Sequence, residues 1–221
     1  MTMIADRTAS ETMRHAMVAS QLRTNAVSDQ RVVAAMAQVP REAFVPADVA
    51  AIAYRDTALA LGDGRWMNPP MATGRLLTEA YLEPTDRVLL IGAAGGYTAA
   101  ILARIVAGVV AVEEDAALVA VARTALADKA KVTIVDGPLD TGHAEGGPYD
   151  VLMIDGAVET MPAALIAQVK DGGRIVSGLV DKGLTRLASG RKTGGGFGLA
   201  PSADAECVIL PGFSRPSGFR F

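Results

Sequence analysis

The chain of 221 residues is half apolar and carries a formal net charge of -3, which suits a folded domain with a substantial core and excludes a disordered chain. The balance of 21 basic against 24 acidic side chains argues against binding to nucleic acid or to an anionic membrane. One cysteine, two histidines and an N-terminus without a long apolar run predict a cytoplasmic protein that has no disulfide and no metal site.

Residues 1–80 predict an N-terminal subdomain made of short helices and loops. Met13, Met17 and Val18 share one side of a helical pattern, which is typical of an amphipathic helix. A second helix is predicted from a cap at Ser28 to a break at Pro40, since serine accepts hydrogen bonds from a first turn and proline ends a helix. The stretches PREAFVP and AYRDTALALGDG then indicate a loop-rich passage.

Residues 81–221 predict an α/β domain. Continuous apolar runs are typical of strands buried on both faces, and they occur at 88–92, 109–113, 131–135, 149–155 and 173–179. Helical segments separate them at about 97–107, 116–127 and 161–169. This alternation predicts an open, doubly wound, mostly parallel, Rossmann-like sheet. The stretches TRLASGRK and ECVIL, joined across TGGGFG, indicate a C-terminal antiparallel hairpin on its edge.

Small residues form the loop after the first of these strands: Gly92, Ala93, Ala94, Gly95 and Gly96. Open parallel sheets bind nucleotides at this position, and small residues let backbone N–H groups approach a ligand closely. A dinucleotide fingerprint needs glycine at the third and sixth positions, where this chain has Ala94 and Tyr97. The alternative interpretation is a tight turn between a strand and a helix.

Acidic residues end the next two strands. Glu113 lies where a carboxylate can accept hydrogen bonds from both hydroxyls of a ribose, although it also fits an ordinary solvated acid. Asp136, which precedes Gly137, lies where an acid can accept a hydrogen from an adenine amino group, although a simple turn is the alternative. Because these features share one edge of the predicted sheet, they favour a nucleoside ligand.

Several stretches together resemble the protein-L-isoaspartate O-methyltransferase family of class I S-adenosylmethionine (SAM) enzymes. The most specific ones precede the sheet: MVASQLRTNAVSDQRVVAAMAQVPREAFVP and AYRDTALALGDG. Others lie within it: VLLIGAAGGYTAAILA, VVAVEED, PYDVLMIDGA and KDGGRIV. The resemblance implies a SAM-binding sheet and an enzyme that methylates L-isoaspartyl residues of damaged proteins for repair, with S-adenosylhomocysteine (SAH) as the other product.

The resemblance also implies that residues 1–80 recognise the substrate, that residues 81–221 bind SAM, and that individual residues have specific roles. Those implied to contact the cofactor are Gly92 and its loop neighbours, Glu113, Asp136 and Gly137. The family's substrate loop reads serine-glutamine-proline, so Asn68 stands here in place of a serine at the catalytic site. The rest of the predicted substrate-loop set is Met67, Pro69, Pro70 and Asp155. Leu90 and Ala94 also depart from the family, which has an acid and a glycine at these positions.

Methyl transfer to a carboxylate needs no general base, because a carboxylate is already ionised near pH 7. Alignment of the reactants and exclusion of water can supply the catalysis, which suits a chain with few histidines and cysteines. Magnesium at Asp155 is an alternative with only Asp181 as a further ligand, so no metal is predicted. Two other functions stay open: a methyltransferase with a different acceptor, and a catalytically silent SAM-binding, SAH-binding or interaction module. The sequence predicts no oligomeric state.

Overall fold

The strands form two sheets in residues 2–194 and 196–214, which the computed structural model of the chain describes. Their bounds are β1 Leu59–Gly62, β2 Arg65–Met67, β3 Arg87–Ile91, β4 Gly108–Glu113, β5 Val132–Asp136, β6 Tyr149–Val158, β7 Val169–Asp181, β8 Leu184–Thr193 and β9 Gly196–Asp204. β1 and β2 form a separate antiparallel hairpin. The larger sheet has the order β5-β4-β3-β6-β7-β8-β9, parallel from β5 to β7 and antiparallel at β8 and β9. The predicted fold class is confirmed.

The α-helices of the described residues lie before the larger sheet or connect its strands. Their bounds are α1 Thr2–Met17, α2 Gln30–Gln38, α3 Pro70–Glu79, α4 Tyr97–Leu102, α5 Ala116–Ala125 and α6 Ala163–Ala167. α1 continues into a π-helical turn at Val18–Leu22. The N-cap predicted at Ser28 is wrong by one residue. Asp29 is the N-cap of α2, and its carboxylate accepts a hydrogen bond from the Arg31 N–H at 2.8 Å.

Hydrophobic cores cover both faces of the larger sheet, because successive strand residues point to opposite faces. On β3, Val88 and Leu90 face a cluster that includes the helices of the N-terminal region. Leu89 and Ile91 face a second cluster, to which α6 and the chain after β9 contribute. The N-terminal helices therefore pack on the sheet within a shared core, and the division into residues 1–80 and 81–221 stays a prediction.

The C-terminal hairpin has a different second strand from the one predicted. β8 pairs with β9, and the segment ECVIL (206–210) lies beyond that pair. A side chain at Gly190 would place its Cβ 1.7 Å from the Gly198 carbonyl oxygen, so glycine permits the close approach of these strands. The apolar segment lies beside the end of β6 instead, where the Ala157 N–H donates to the Val208 carbonyl at 2.7 Å. Leu210 is buried there.

Candidate functional site

The loop between β3 and α4 is held against the end of β4. Gly92, Ala94 and Gly96 have φ values of 79°, 48° and 99°, in a region that glycine adopts without steric cost. The N–H groups of Gly92 and Ala93 both donate to the Val112 carbonyl, at 3.1 and 3.0 Å. The loop therefore turns sharply beside the carboxyl ends of two neighbouring parallel strands, which is where such sheets bind ligands.

Two of the loop glycines are required by close packing. A Cβ at Gly95 would lie 2.5 Å from the Phe44 carbonyl oxygen, and a Cβ at Gly96 would lie 2.8 Å from Leu126 Cδ1. The absence of side chains at these two positions makes room for protein atoms. The contact of the two glycines with a cofactor stays a prediction.

Glu113 ends β4 and is completely buried, at 0% exposure. Its Oε2 accepts hydrogen bonds from the Ala94 N–H and from Arg65 Nη2, both at 2.7 Å. Its Oε1 accepts from the N–H groups of Glu114 and Asp115, both at 3.1 Å. A buried carboxylate is costly unless it is paired and hydrogen-bonded, and these four donors meet that requirement.

Asp136 and Gly137 lie at the same sheet edge. Asp136 is the register partner of Glu113 on the neighbouring strand β5, and its side chain is exposed. The Gly137 N–H donates to the Glu113 carbonyl oxygen at 3.1 Å. The sheet thus brings the two predicted acids together, one buried and one facing solvent.

Asp155, near the carboxyl end of the parallel part of β6, accepts hydrogen bonds from three side chains. Asn68 Nδ2 and Thr73 Oγ1 donate to its Oδ1 at 2.9 and 3.0 Å, and Thr98 Oγ1 donates to its Oδ2. Asn68 is almost fully buried, and its Oδ1 accepts the Val208 N–H at 2.8 Å. The amide of Asn68 therefore joins Asp155 to the C-terminal segment, and neither of its polar atoms lacks a partner.

Arg41 lies fully buried beneath this cluster. Its Nε donates to the Ala53 carbonyl at 2.8 Å, its Nη2 donates to the Asn68 carbonyl, and its guanidinium carbon lies 4.8 Å from the centre of the Tyr97 ring. Burial lowers the pKa of Arg41 and raises the pKa of Tyr97, and each group partly offsets the shift of the other. Arg41 Nη1 and the Tyr97 hydroxyl have no hydrogen-bond partner among the described residues.

A cleft joins these features. Its lining residues are Trp66, Met67, Asn68, Gly92, Ala93, Ala94, Tyr97, Thr98 and Asp155, around a cavity of about 10 Å³. Six of the predicted site residues line it: Met67, Asn68, Gly92, Ala93, Ala94 and Asp155. Gly95, Gly96, Glu113, Asp136 and Gly137 lie outside this lining, and Pro69 and Pro70 are buried at the start of α3. The sequence analysis assigned no role to Arg41, Arg65 or Thr98. The signal for Arg41 is its place between two prolines in PREAFVP, whereas Arg65 offers only a basic residue between the turn GDG and Trp66.

Nucleophilic and metal chemistry has little support in the described residues. Burial raises the pKa of the Cys207 thiol to about 12, so the thiol is protonated near neutral pH and is not an activated nucleophile. No group of three or more His, Cys, Asp or Glu side chains is placed to hold a metal ion within residues 2–194 and 196–214.

No described helix is long and apolar enough to cross a membrane.

The sequence is similar to one family over most of its length. The profile of the family described as protein-L-isoaspartate (D-aspartate) O-methyltransferase matches residues 12–202. A protein-L-isoaspartate O-methyltransferase of Roseiflexus castenholzii is 38% identical over 203 residues, which are 90% of this chain and 92% of that protein. One from Methylorubrum extorquens is 41% identical over 164 residues, which cover 74% of this chain and 72% of that one.

Solved structures show a similar fold. A structure titled protein-L-isoaspartate O-methyltransferase superposes with a TM-score of 0.78 at 24% identity, over 90% of this chain and 66% of that chain. A Plasmodium falciparum protein, described as a putative protein-L-isoaspartate O-methyltransferase in complex with SAH, superposes with a TM-score of 0.76 at 17% identity. That match covers 89% of this chain and 97% of the other.

Proposed function

Because the chain belongs to the protein-L-isoaspartate (D-aspartate) O-methyltransferase family, we propose that it is a SAM-dependent carboxyl O-methyltransferase that acts on L-isoaspartyl residues of damaged proteins. The substrates are peptides and proteins that carry such a residue, and the products are the methyl ester and SAH. The ester then closes to a succinimide, which allows partial return to aspartate. A cytoplasmic location and the absence of nucleic-acid partners stay predictions from composition.

The observation that carries this proposal is Glu113, a buried carboxylate at the carboxyl end of β4. Its Oε2 holds a guanidinium N–H and an amide N–H at 2.7 Å, and the same oxygen can accept O–H donors from a ribose. The neighbouring loop places backbone close to the carboxylate, and Tyr97, which lines the cleft, has a buried hydroxyl without a hydrogen-bond partner among the described residues. These groups fit a nucleoside cofactor once Arg65 leaves Glu113.

The protein's own contribution to the reaction is binding, orientation and exclusion of water. SAM supplies the electrophilic methyl group when it is bound. The acceptor carboxylate arrives ionised, so neither His15, which is exposed, nor His143 has to act as a base. The buried guanidinium of Arg41 donates to the Asn68 carbonyl and interacts with the charge of Asp155, so it offsets part of the repulsion between Asp155 and an anionic acceptor. Orientation of this kind is worth on the order of 10⁵ M or more in effective molarity.

The proposal is tested by incubating the protein with methyl-labelled SAM and an L-isoaspartyl peptide, with the matched L-aspartyl peptide as the control. We expect base-labile methyl ester on the first peptide and none on the second. An absence of label on both peptides, under conditions in which a relative labels the isoaspartyl peptide, would overturn the repair activity. SAH binding by the same inactive protein would then indicate a different acceptor, and no SAH binding would indicate a silent module.

One observation favours the different acceptor as a second candidate. The carboxylate of Asp155 lines the cleft beside Asn68, and a like charge disfavours a second carboxylate nearby. Asn68→Ser discriminates between the candidates, since the serine restores the family's residue. A gain of isoaspartyl methylation would support a repair enzyme with one altered group, whereas no gain with full SAH binding would support an altered acceptor.

The Asn68–Asp155 hydrogen bond also predicts a coupled pair. Asn68→Ser and Asp155→Thr should each lower the free energy of unfolding by about 1–3 kcal/mol, because each leaves buried donors or acceptors unpaired. The double variant should lose less than the sum, with a coupling energy of about 0.5–3 kcal/mol. Urea unfolding of the four proteins measures this coupling, and additive losses would show that the two side chains do not act together.

A further inference from the structure

The β1–β2 hairpin places a buried arginine on the carboxylate that would hold the cofactor. Arg65 is the first residue of β2, and its Nη2 lies 2.7 Å from Glu113 Oε2. Arg65 is 7% exposed and Glu113 is 0% exposed, so the ion pair lies inside the protein. Oε2 already accepts the Ala94 N–H and the Arg65 guanidinium, which use both of its acceptor sites. A ribose hydroxyl can therefore bind this oxygen only in place of Arg65.

The hairpin and the residue that follows it also fill the cleft. Trp66, Met67 and Asn68 form one wall of a cavity of about 10 Å³, whereas sites for small molecules measure roughly 300–1,000 Å³. The opposite wall is the loop at Gly92–Ala94 and the start of α4. That wall is tied to the sheet by hydrogen bonds to Val112 and Glu113. Asn68 is likewise held, by hydrogen bonds with Arg41, Asp155 and Val208. Entry of a nucleoside therefore requires the hairpin residues 65–67 to move.

The construction of the hairpin suits such a movement. Its strands have four and three residues and pair with each other but not with the larger sheet. Among the described strands, no ladder hydrogen bond to that sheet resists a movement, and the hairpin is held by the packing of Leu59, Leu61 and Met67 in the core. The turn residues Gly62, Asp63 and Gly64 all have positive φ and are exposed. Arg65 Nε is buried without a hydrogen-bond partner, so the burial of this guanidinium is only partly compensated and its release costs less.

We propose that Arg65 is a latch that competes with the cofactor for Glu113, so that SAM and SAH bind only when the β1–β2 hairpin opens. This inference rests on the proposed function, because it takes Glu113 as the ribose-binding residue. Arg65 thereby sets the affinity for the cofactor without touching it, as a competing internal ligand. An equilibrium between a latched and an open state lowers the apparent affinity by the fraction of open protein.

The test is calorimetric titration of SAH into wild type, Arg65→Gln and the control Arg186→Gln. Arg186 is ion-paired with Asp204 at 2.8 Å on the C-terminal hairpin and does not line the cleft. We expect Arg65→Gln to bind SAH at least about tenfold more tightly than wild type, which corresponds to about 1.4 kcal/mol, and Arg186→Gln to equal wild type. Arg65→Lys keeps the positive charge with fewer hydrogen-bond donors, so its affinity for SAH should lie between those of wild type and Arg65→Gln. If Arg65→Gln does not fold, Arg65→Lys takes its place in the test.

A second readout follows the hairpin directly. Trp66 is the only tryptophan of the chain and lies next to Arg65, 48% exposed. We expect SAH to change the emission of Trp66 in wild type, and we expect Arg65→Gln to show part of that change before SAH is added. No emission change during saturation with SAH would overturn the opening of the hairpin.

The outcomes separate the latch from the function. If wild type binds SAH and the folded Arg65 variants bind it equally or more weakly, the latch is wrong while the cofactor site stands. If neither wild type nor the Arg65 variants bind SAH, both the latch and the proposed function fail. If only the Arg65 variants bind, the latch is supported in its strongest form.

Discussion

Replacement of Glu113 by alanine is expected to lower the affinity for SAH at least about hundredfold and to abolish methyl transfer at cofactor concentrations that saturate wild type. The carboxylate is fully buried and accepts four hydrogen bonds from N–H groups. Hydrogen bonds to a charged group contribute about 1.5–3 kcal/mol each. The loss of two such bonds to a ribose therefore exceeds the 2.8 kcal/mol that corresponds to a factor of one hundred.

The neighbouring residue supplies the matched control. Glu114 has the same side chain but is exposed, so Glu114→Ala should leave SAH affinity within a factor of two of wild type. Glu113→Gln keeps the size of the side chain and an acceptor for Arg65, and should lose less stability than Glu113→Ala while still losing cofactor affinity. Calorimetry with SAH and urea unfolding measure both quantities. Wild-type affinity in a folded Glu113→Ala would place the cofactor elsewhere.

The parallel strands could be predicted from the sequence because their burial is a local property. A strand covered on both faces needs apolar residues throughout, and β3, β4 and β6 begin and end within a few residues of the predicted runs. The position of Glu113 at the end of β4 follows from the same pattern, since the strand fixes which residue reaches the edge. One strand assignment was therefore enough to locate the acid.

The elements that the sequence analysis missed depend on contacts between distant residues. β1 and β2 have only four and three residues, which is too short for a periodic pattern of apolar residues to indicate a strand. The segment ECVIL has the pattern of a strand, yet β9 takes that place because the glycine at 190 lets the β9 backbone lie against β8. Local propensity decides little at a sheet edge, where packing against neighbours dominates.

In the candidate site, too, local features could be predicted from the sequence and contacts between distant residues could not. The loop Gly92–Gly96 follows β3 and precedes α4, but the need for glycine at Gly95 comes from the Phe44 carbonyl oxygen, 2.5 Å from where a Cβ would lie, and the sequence could not indicate this contact. Arg65 and Glu113 are 48 residues apart, and Asn68 and Asp155 are 87 apart. Polar contacts across such separations become visible only once the fold has placed the two side chains together. This explains why Asn68 and Asp155 were predicted singly and their mutual hydrogen bond was not.

Replacement of Arg41 by leucine is expected to lower the free energy of unfolding by about 3–5 kcal/mol. Arg41 is fully buried, and its guanidinium donates to the carbonyls of Ala53 and Asn68 and stacks on Tyr97. Leucine restores much of the volume but leaves both carbonyls without their donor, which costs about 1–3 kcal/mol for each unsatisfied group. The lost cation–π contact adds about 0.5–2 kcal/mol.

Two further variants separate the buried charge from its geometry. Arg41→Lys keeps the charge but loses the planar group that donates to two carbonyls at once, so it should recover only part of the stability. Arg31→Ala removes an exposed arginine that pairs with Asp29 on the surface and should cost no more than about 1 kcal/mol. Urea unfolding gives all three values. If Arg41→Leu unfolds within 0.5 kcal/mol of wild type, the guanidinium does not stabilise the substrate loop through Asn68. If the expected loss is found instead, the buried guanidinium of Arg41 holds the substrate loop in place through the Asn68 carbonyl, and the side chain of Asn68 contacts Asp155.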